Sequence, residues 1–185
     1  MLDDLDLKIL NSLQQNGRTK RNELAEQVGL SVPSVSERLK KLEDNKIIEG
    51  YYTKVNKQVF GYDILAFILV MMDSSKHYKN LITKVEKMPE ILECHAVLGE
   101  GSHLLKALVK NTEALERVLS EIQSWQGVNG TKTTYVLSTV KETFEINVAL
   151  TERGTAGFQN QDNVVFVPAQ TAQKLLLGIN HVNFI

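Results

Sequence analysis

The sequence predicts an α+β fold in two parts: an N-terminal helix-turn-helix domain and a C-terminal βαββαβ sandwich, followed by an extension. Three observations predict it. Residues 22–50 hold two short helical patterns joined at a glycine. The apolar pattern becomes strand-like at Ile64. From there strands and helices follow in the order β-α-β-β-α-β, the split pattern of a ferredoxin-like sandwich. The expected domains are 1–56, a linker at 57–63, the sandwich at 64–145 and the extension at 146–185.

Residues 3–15 read as a helix, with Leu2, Leu5, Ile9 and Leu13 at i, i+4 spacing and Asp3 and Asp4 at its positive end. Asn16-Gly17 stops it. Thr19 is the expected cap of the next helix, whose apolar face is Leu24, Ala25 and Val28. Gly29 ends that helix, because glycine takes the left-handed turn conformation without steric cost. Ser31 caps the following helix with its hydroxyl, and Pro33 in the first turn loses no hydrogen bond. Val35, Leu39 and Leu42 face the core. The opposite face carries Pro33, Glu37, Lys40, Lys41 and Asp44, flanked by Ser34 and Ser36. A glycine-turned helix pair with a Ser- and Lys-bearing outer face suits a DNA major groove; it also suits a solvated face in an all-α core.

Asn45-Lys46 ends this helix, and 47–56 alternates as a strand with a bend at Gly50. The run 64–72 is apolar at both parities, which predicts a strand covered on both faces. Tyr78, Leu81, Ile82 and Val85 mark a helix over about 75–87, ended by Met88-Pro89. Strands follow at 91–98 and 103–110, turning at Gly99-Glu100-Gly101-Ser102. A helix begins near Asn111 or Thr112 and includes Leu115, Val118, Leu119, Ile122 and Trp125, and 131–143 is the last strand. Helices cover one sheet face. The apolar second face predicts a homodimer, sheet against sheet.

The bulk properties narrow the function. The chain has 185 residues, 43% hydrophobic, with a net charge of −1. From Arg18 to Lys41, six basic residues outnumber three acidic ones, so positive charge is local. No apolar run reaches the roughly eighteen residues of a membrane span, and the acidic start MLDDLDLK has no signal-peptide core. One cysteine, Cys94, fits a reducing cytosol. Cys94, His95 and His103 invite a metal reading. An ungapped hairpin places Leu98 opposite His103 and sends the two imidazoles to opposite faces, so no metal site is expected. No phosphate-binding glycine loop or nucleophile elbow is present, and no catalytic residue or cofactor is expected.

LDDLDLKIL, then GRTKRNELAEQVGLSVPSVSERLKKLEDNKIIEGYYTKVN, then TTYVLSTVKET together resemble the Lrp/AsnC family of bacterial and archaeal transcription regulators over residues 2–145. The resemblance implies a winged-helix-like or hairpin-linked helix-turn-helix and a ferredoxin-like effector and assembly domain. It also implies dimers that often join into octamers, double-stranded DNA as partner, amino acids as effectors and a cytoplasmic, nucleoid-associated protein. Ser34, Ser36, Glu37 and Lys40 are the candidates for base-edge or groove-wall contacts, and Arg18, Arg38 and Lys41 for phosphate. Arg18 has a second reading as a surface ion pair, and Arg38 as an ion pair with Glu23 or Glu26. Glu37 either accepts from a cytosine amino group or repels wrong sites.

The family cradles an amino acid at the turn between the central strands, here Gly99, Glu100, Gly101 and Ser102. It usually has an aspartate at the position of Ser102 and an aromatic at that of His103. The turn has two readings, an amino-acid or altered-ligand site and a hairpin that only builds the oligomer. Two other classes stay open: a siroheme-decarboxylase-like enzyme, whose paired-histidine segment this sequence lacks, and an effector-binding module that does not bind DNA. Beyond Ile146 the resemblance ends. VVFVP at 164–168 reads as a strand and 169–177 as a helix, either an element that packs on a neighbouring subunit or a weakly docked appendage or vector-derived sequence.

Overall fold

The computed structural model describes residues 2–149. The strand and helix expected at 164–168 and 169–177 lie outside the described residues. The chain forms two units, one up to Tyr51 and again from Phe144, the other Tyr52–Thr143. The first unit is thus made of two stretches of the sequence, with the second unit between them.

In the first unit, α1 (Asp4–Gln15) begins with a reciprocal cap. Asp3 Oδ1 accepts from the backbone of Leu5 and Asp6, while Asp6 Oδ2 accepts from Asp3 N at 3.1 Å. For α2 (Arg21–Val28) the cap is Lys20 rather than Thr19, with Glu23 reaching back to Lys20 N at 3.3 Å. Thr19 instead spends its hydroxyl on Asn16 O at 2.7 Å. Gly29 lies at φ 69°, in the left-handed region. Ser31 then caps α3 (Val32–Asp44) through Ser34 N. Ile9, Leu24, Val35 and Leu42, each at most 2% exposed, close the core of the three helices. After α3 the chain turns through Lys46 at φ 58°, a conformation that costs a side chain about 1 kcal/mol. Lys46→Gly is accordingly expected to raise the melting temperature of this unit slightly, by about 1 kcal/mol of stability, in a calorimetric scan.

No strand forms over 47–56. A strand needs an edge to pair with, and among the described residues none pairs with these.

The second unit holds β1 (Ile64–Met72), α4 (Tyr78–Val85), β2 (Ile91–Ala96), β3 (His103–Val109), α5 (Thr112–Gln123) and β4 (Val128–Tyr135). The sheet is antiparallel in the order β2-β3-β1-β4. This is the predicted split βαββαβ topology, with two shifts. β4 starts and ends earlier than the expected 131–143, and β2 stops at Ala96. The helix expected from 75 begins as a 3-10 turn at Ser75–His77. Ile68, Val70, Leu105, Ala107 and Val109 on the sheet pack with Leu81, Ile122 and Trp125. Leu65, Phe67, Leu69 and Met71 take the opposite parity on β1, joined by Leu104 and Leu108 on β3. On that face Lys106 Nζ bonds Glu93 at 2.8 Å and Glu142 at 3.2 Å, and Glu142 also takes Lys54 at 3.0 Å. The entry and exit of the unit are thus pinned together.

Candidate nucleic-acid interface

The outer face of α3 is set by its own spacing. Burial of Val35, Leu39 and Leu42 leaves Pro33, Glu37, Lys40, Lys41 and Asp44 exposed. Lys41 Nζ lies 2.8 Å from Glu37 across one turn, and this pairing lowers the Glu37 carboxyl below its usual range. The pair is solvated on both sides, so a phosphate or base can exchange with either partner at little cost. Ser34 and Ser36 are half-buried on the flanks. Ser34 Oγ shares a hydrogen bond with Ser31 Oγ at 2.8 Å, and Ser36 Oγ donates to Val32 O at 2.9 Å. Arg18 is exposed in the loop before α2, its backbone N held by Asn16 Oδ1 at 3.0 Å.

Arg38 forms an ion pair, but with other acids than the sequence suggests. Its partners are not Glu23 or Glu26 but two acids at the start of α1. Nη1 donates to Asp3 Oδ2 at 2.8 Å and Asp6 Oδ1 at 2.7 Å. Asp6 is one of the few buried charged residues of the unit. The Asp3 carboxyl is lowered, first by the backbone N–H of Asp6 and then by Arg38.

In the second unit, the turn Gly99–Ser102 is held down rather than free. Ser102 donates to Val70 O through its backbone N at 2.9 Å and its hydroxyl at 3.2 Å. A Cβ at Gly101 would stand 2.5 Å from Leu69 Cγ, so only glycine fits there. Glu100 pairs with Lys132 of β4, which lowers the Glu100 carboxyl. Since Lys132 is opposite Leu69 in the ladder, the turn spans the open-face side of β1.

His103 follows the turn and is 3% exposed. It faces Ala96, two residues earlier than the expected Leu98, and His95 faces Leu104. A slip of two keeps the parity, so the two imidazoles still belong to opposite faces. His103 Nδ1 is 3.0 Å from Ser102 Oγ, and its ring meets Tyr78 edge-on at 4.7 Å. Burial depresses the His103 pKa below 6.5. A base depressed in the fold lends stability that is intact above the unfolded pKa and is lost as pH falls through the folded value. The denaturation midpoint read from Trp125 emission is therefore expected to fall between about pH 7.5 and 5.5. His103→Phe should flatten that dependence; an unchanged slope would remove His103 as its source.

Among the described residues, no helix is long and apolar enough to cross a membrane.

Known proteins match both halves of this geometry. Residues 2–49 match a winged helix-turn-helix DNA-binding model, and residues 65–146 the Lrp/AsnC ligand binding domain. The chain is 37% identical over 148 residues to the HTH-type transcriptional regulator FL11 of Pyrococcus furiosus, covering 80% of this chain and 97% of that protein. It is 35% identical to the leucine-responsive regulatory protein of Escherichia coli K12, covering 76% and 88%. Among solved structures it resembles transcriptional regulator NMB0573 of Neisseria meningitidis, determined as an L-Met complex. That match has TM-score 0.75 and 34% identity, and covers 80% of this chain and 97% of that one. A helix-turn-helix with an outward Ser- and Lys-bearing α3, followed by a βαββαβ sandwich, and relatives matched over nearly their whole lengths lead to one conclusion: the chain belongs to the Lrp/AsnC family of transcriptional regulators.

Proposed function

We propose that this chain is a cytoplasmic transcriptional regulator that binds double-stranded DNA through α3 and is tuned by an amino acid at the Gly99–Ser102 turn. The observation that carries the reading is the exposed row on α3, presented by a glycine-turned helix pair beside a matched ligand-binding domain. Ser34, Ser36, Glu37 and Lys40 meet base edges or the groove wall; Arg18 and Lys41 meet phosphates. Arg38 leaves the phosphate set, because its charge is spent on Asp3 and Asp6. The chain works as a homodimer or a higher oligomer. Support comes from the apolar open face of β1 and β3, and from exposed Tyr52 and Val55 in the unpaired stretch after α3. No cofactor and no catalysis enter this reading. The amino-acid effector is supported by the L-Met complex of the Neisseria relative. At the turn, Glu100 and Lys132 offer opposite charges suited to an ammonium and a carboxylate.

Fluorescence anisotropy on the protein's own upstream DNA, against a scrambled duplex at rising salt, tests this. Preferential, salt-weakened binding that shifts with a pool of amino acids is the expected result. Binding without a shift would keep the regulator and retire the effector site. No binding to either duplex at low salt would overturn the reading.

A further inference from the structure

Arg38 lies on the flank of α3, between its buried stripe and its exposed row. Its two acceptors are the capping residues of α1. All four carboxylate oxygens of Asp3 and Asp6 are engaged. Asp3 Oδ1 takes two N–H groups of the first turn and Oδ2 takes Arg38; Asp6 Oδ1 takes Arg38 and Oδ2 takes Asp3 N. The Asp6 side chain is 10% exposed and that of Arg38 27%, so this is a partly desolvated, charge-assisted bridge rather than a loose surface pair.

We infer that Arg38, Asp3 and Asp6 form a positioning clamp for DNA recognition, fixing the roll of α3 about its own axis so that its exposed row meets the groove in one register. The apolar stripe alone is a weak device for this. Val35, Leu39 and Leu42 keep α3 against the core, but aliphatic contacts are non-directional and tolerate small rotations. A hydrogen-bonded ion pair on one flank is directional and stops the rotation. The first turn of α1 is a firm anchor, because the capping box has already set both carboxylates. Neither acid needs to touch DNA, and Arg38 needs no phosphate.

This inference rests on DNA binding by α3, and its test separates the two. Operator and scrambled duplexes are titrated over a salt series with the full chain, Arg38→Gln and Asp3→Asn. Asparagine still caps a helix, so Asp3→Asn keeps α1 while presenting a donor to the Arg38 donor. A clamp predicts that Arg38→Gln loses about tenfold of its preference for the specific duplex. Asp3→Asn should lose several-fold, and the salt slope of both should stay that of the parent. A phosphate role predicts the reverse: the Arg38→Gln slope falls by about 0.9 and both duplexes weaken alike, while Asp3→Asn frees a cation and tightens both. That pattern would overturn the clamp. If the full chain shows no duplex preference, the regulator reading fails instead, and amide exchange along α3 decides the clamp. Faster exchange in Asp3→Asn sustains it, and unchanged exchange overturns it.

Discussion

Leu24→Ala is expected to abolish DNA binding while leaving the ligand-binding unit folded. Leu24 is 1% exposed and sits among Ile9, Val28, Val35 and Leu39. Truncation costs the lost burial plus a cavity, about 2–5 kcal/mol. A three-helix unit of this size has little more than that to lose. The only tryptophan, Trp125, lies 3% exposed in the other unit's core and reports on that unit alone. A thermal scan should show helical ellipticity lost early and Trp125 emission at the parental midpoint. A single transition lowered in both signals would mean that the two units melt together, and the assignment to one of them would fall.

Gly101→Val carries the second large effect, in the other unit. The added Cβ meets Leu69 Cγ at 2.5 Å, Leu69 Cδ1 at 2.6 Å and the carbonyl of Val70 at 3.0 Å. A backbone oxygen and a branch-point carbon cannot both step aside, so the turn must lift. Overpacking of this kind costs about 1–3 kcal/mol. Lifting the turn also parts Ser102 from Val70 and Glu100 from Lys132. The denaturation midpoint of Trp125 should drop and the amino-acid response should vanish, while α3 still binds DNA. Gly99 is a useful contrast. Nothing stands within 4 Å of a Cβ there, but its φ of 130° is one that side chains rarely adopt. Gly99→Ala should therefore act through backbone strain alone. Full effector response in Gly101→Val, measured by calorimetric titration, would detach the turn from ligand binding.

Much of the architecture was legible because the signals were local. Gly29, Ser31 and Pro33 announce the ends of two helices within five residues, and the structure puts them at the C-cap, the N-cap and the first turn. The doubly apolar run of 64–72 became the inner strand β1. What stayed hidden depends on distance along the chain. The sequence offers Arg38 the nearer acids Glu23 and Glu26, but its partners lie 35 and 32 residues away. Helical spacing shows which side of α3 a residue occupies; it does not show which end of α1 lies beside it. The strand expected at 47–56 failed for a related reason. Alternation measures the fitness of a segment to pair, and the partner edge must come from elsewhere. In β4 the apolar Val136 and Leu137 extended the expected strand, yet β4 stops at Tyr135, opposite Ala66 near the start of β1.

The return of the chain to the first unit has a mechanical consequence. Gln14 grips Ile146 in both directions, Nε2 to its carbonyl at 3.0 Å and Oε1 from its N–H at 2.8 Å, and Val148 packs against the helical core. The ligand-binding unit is thus an insertion, spliced into the DNA-binding unit at two seams rather than hung from one. Within that unit, Lys54 near its start and Glu142 near its end pair at 3.0 Å. A pull on the segment that begins at Phe144 is therefore carried into the side of α1 at Gln14.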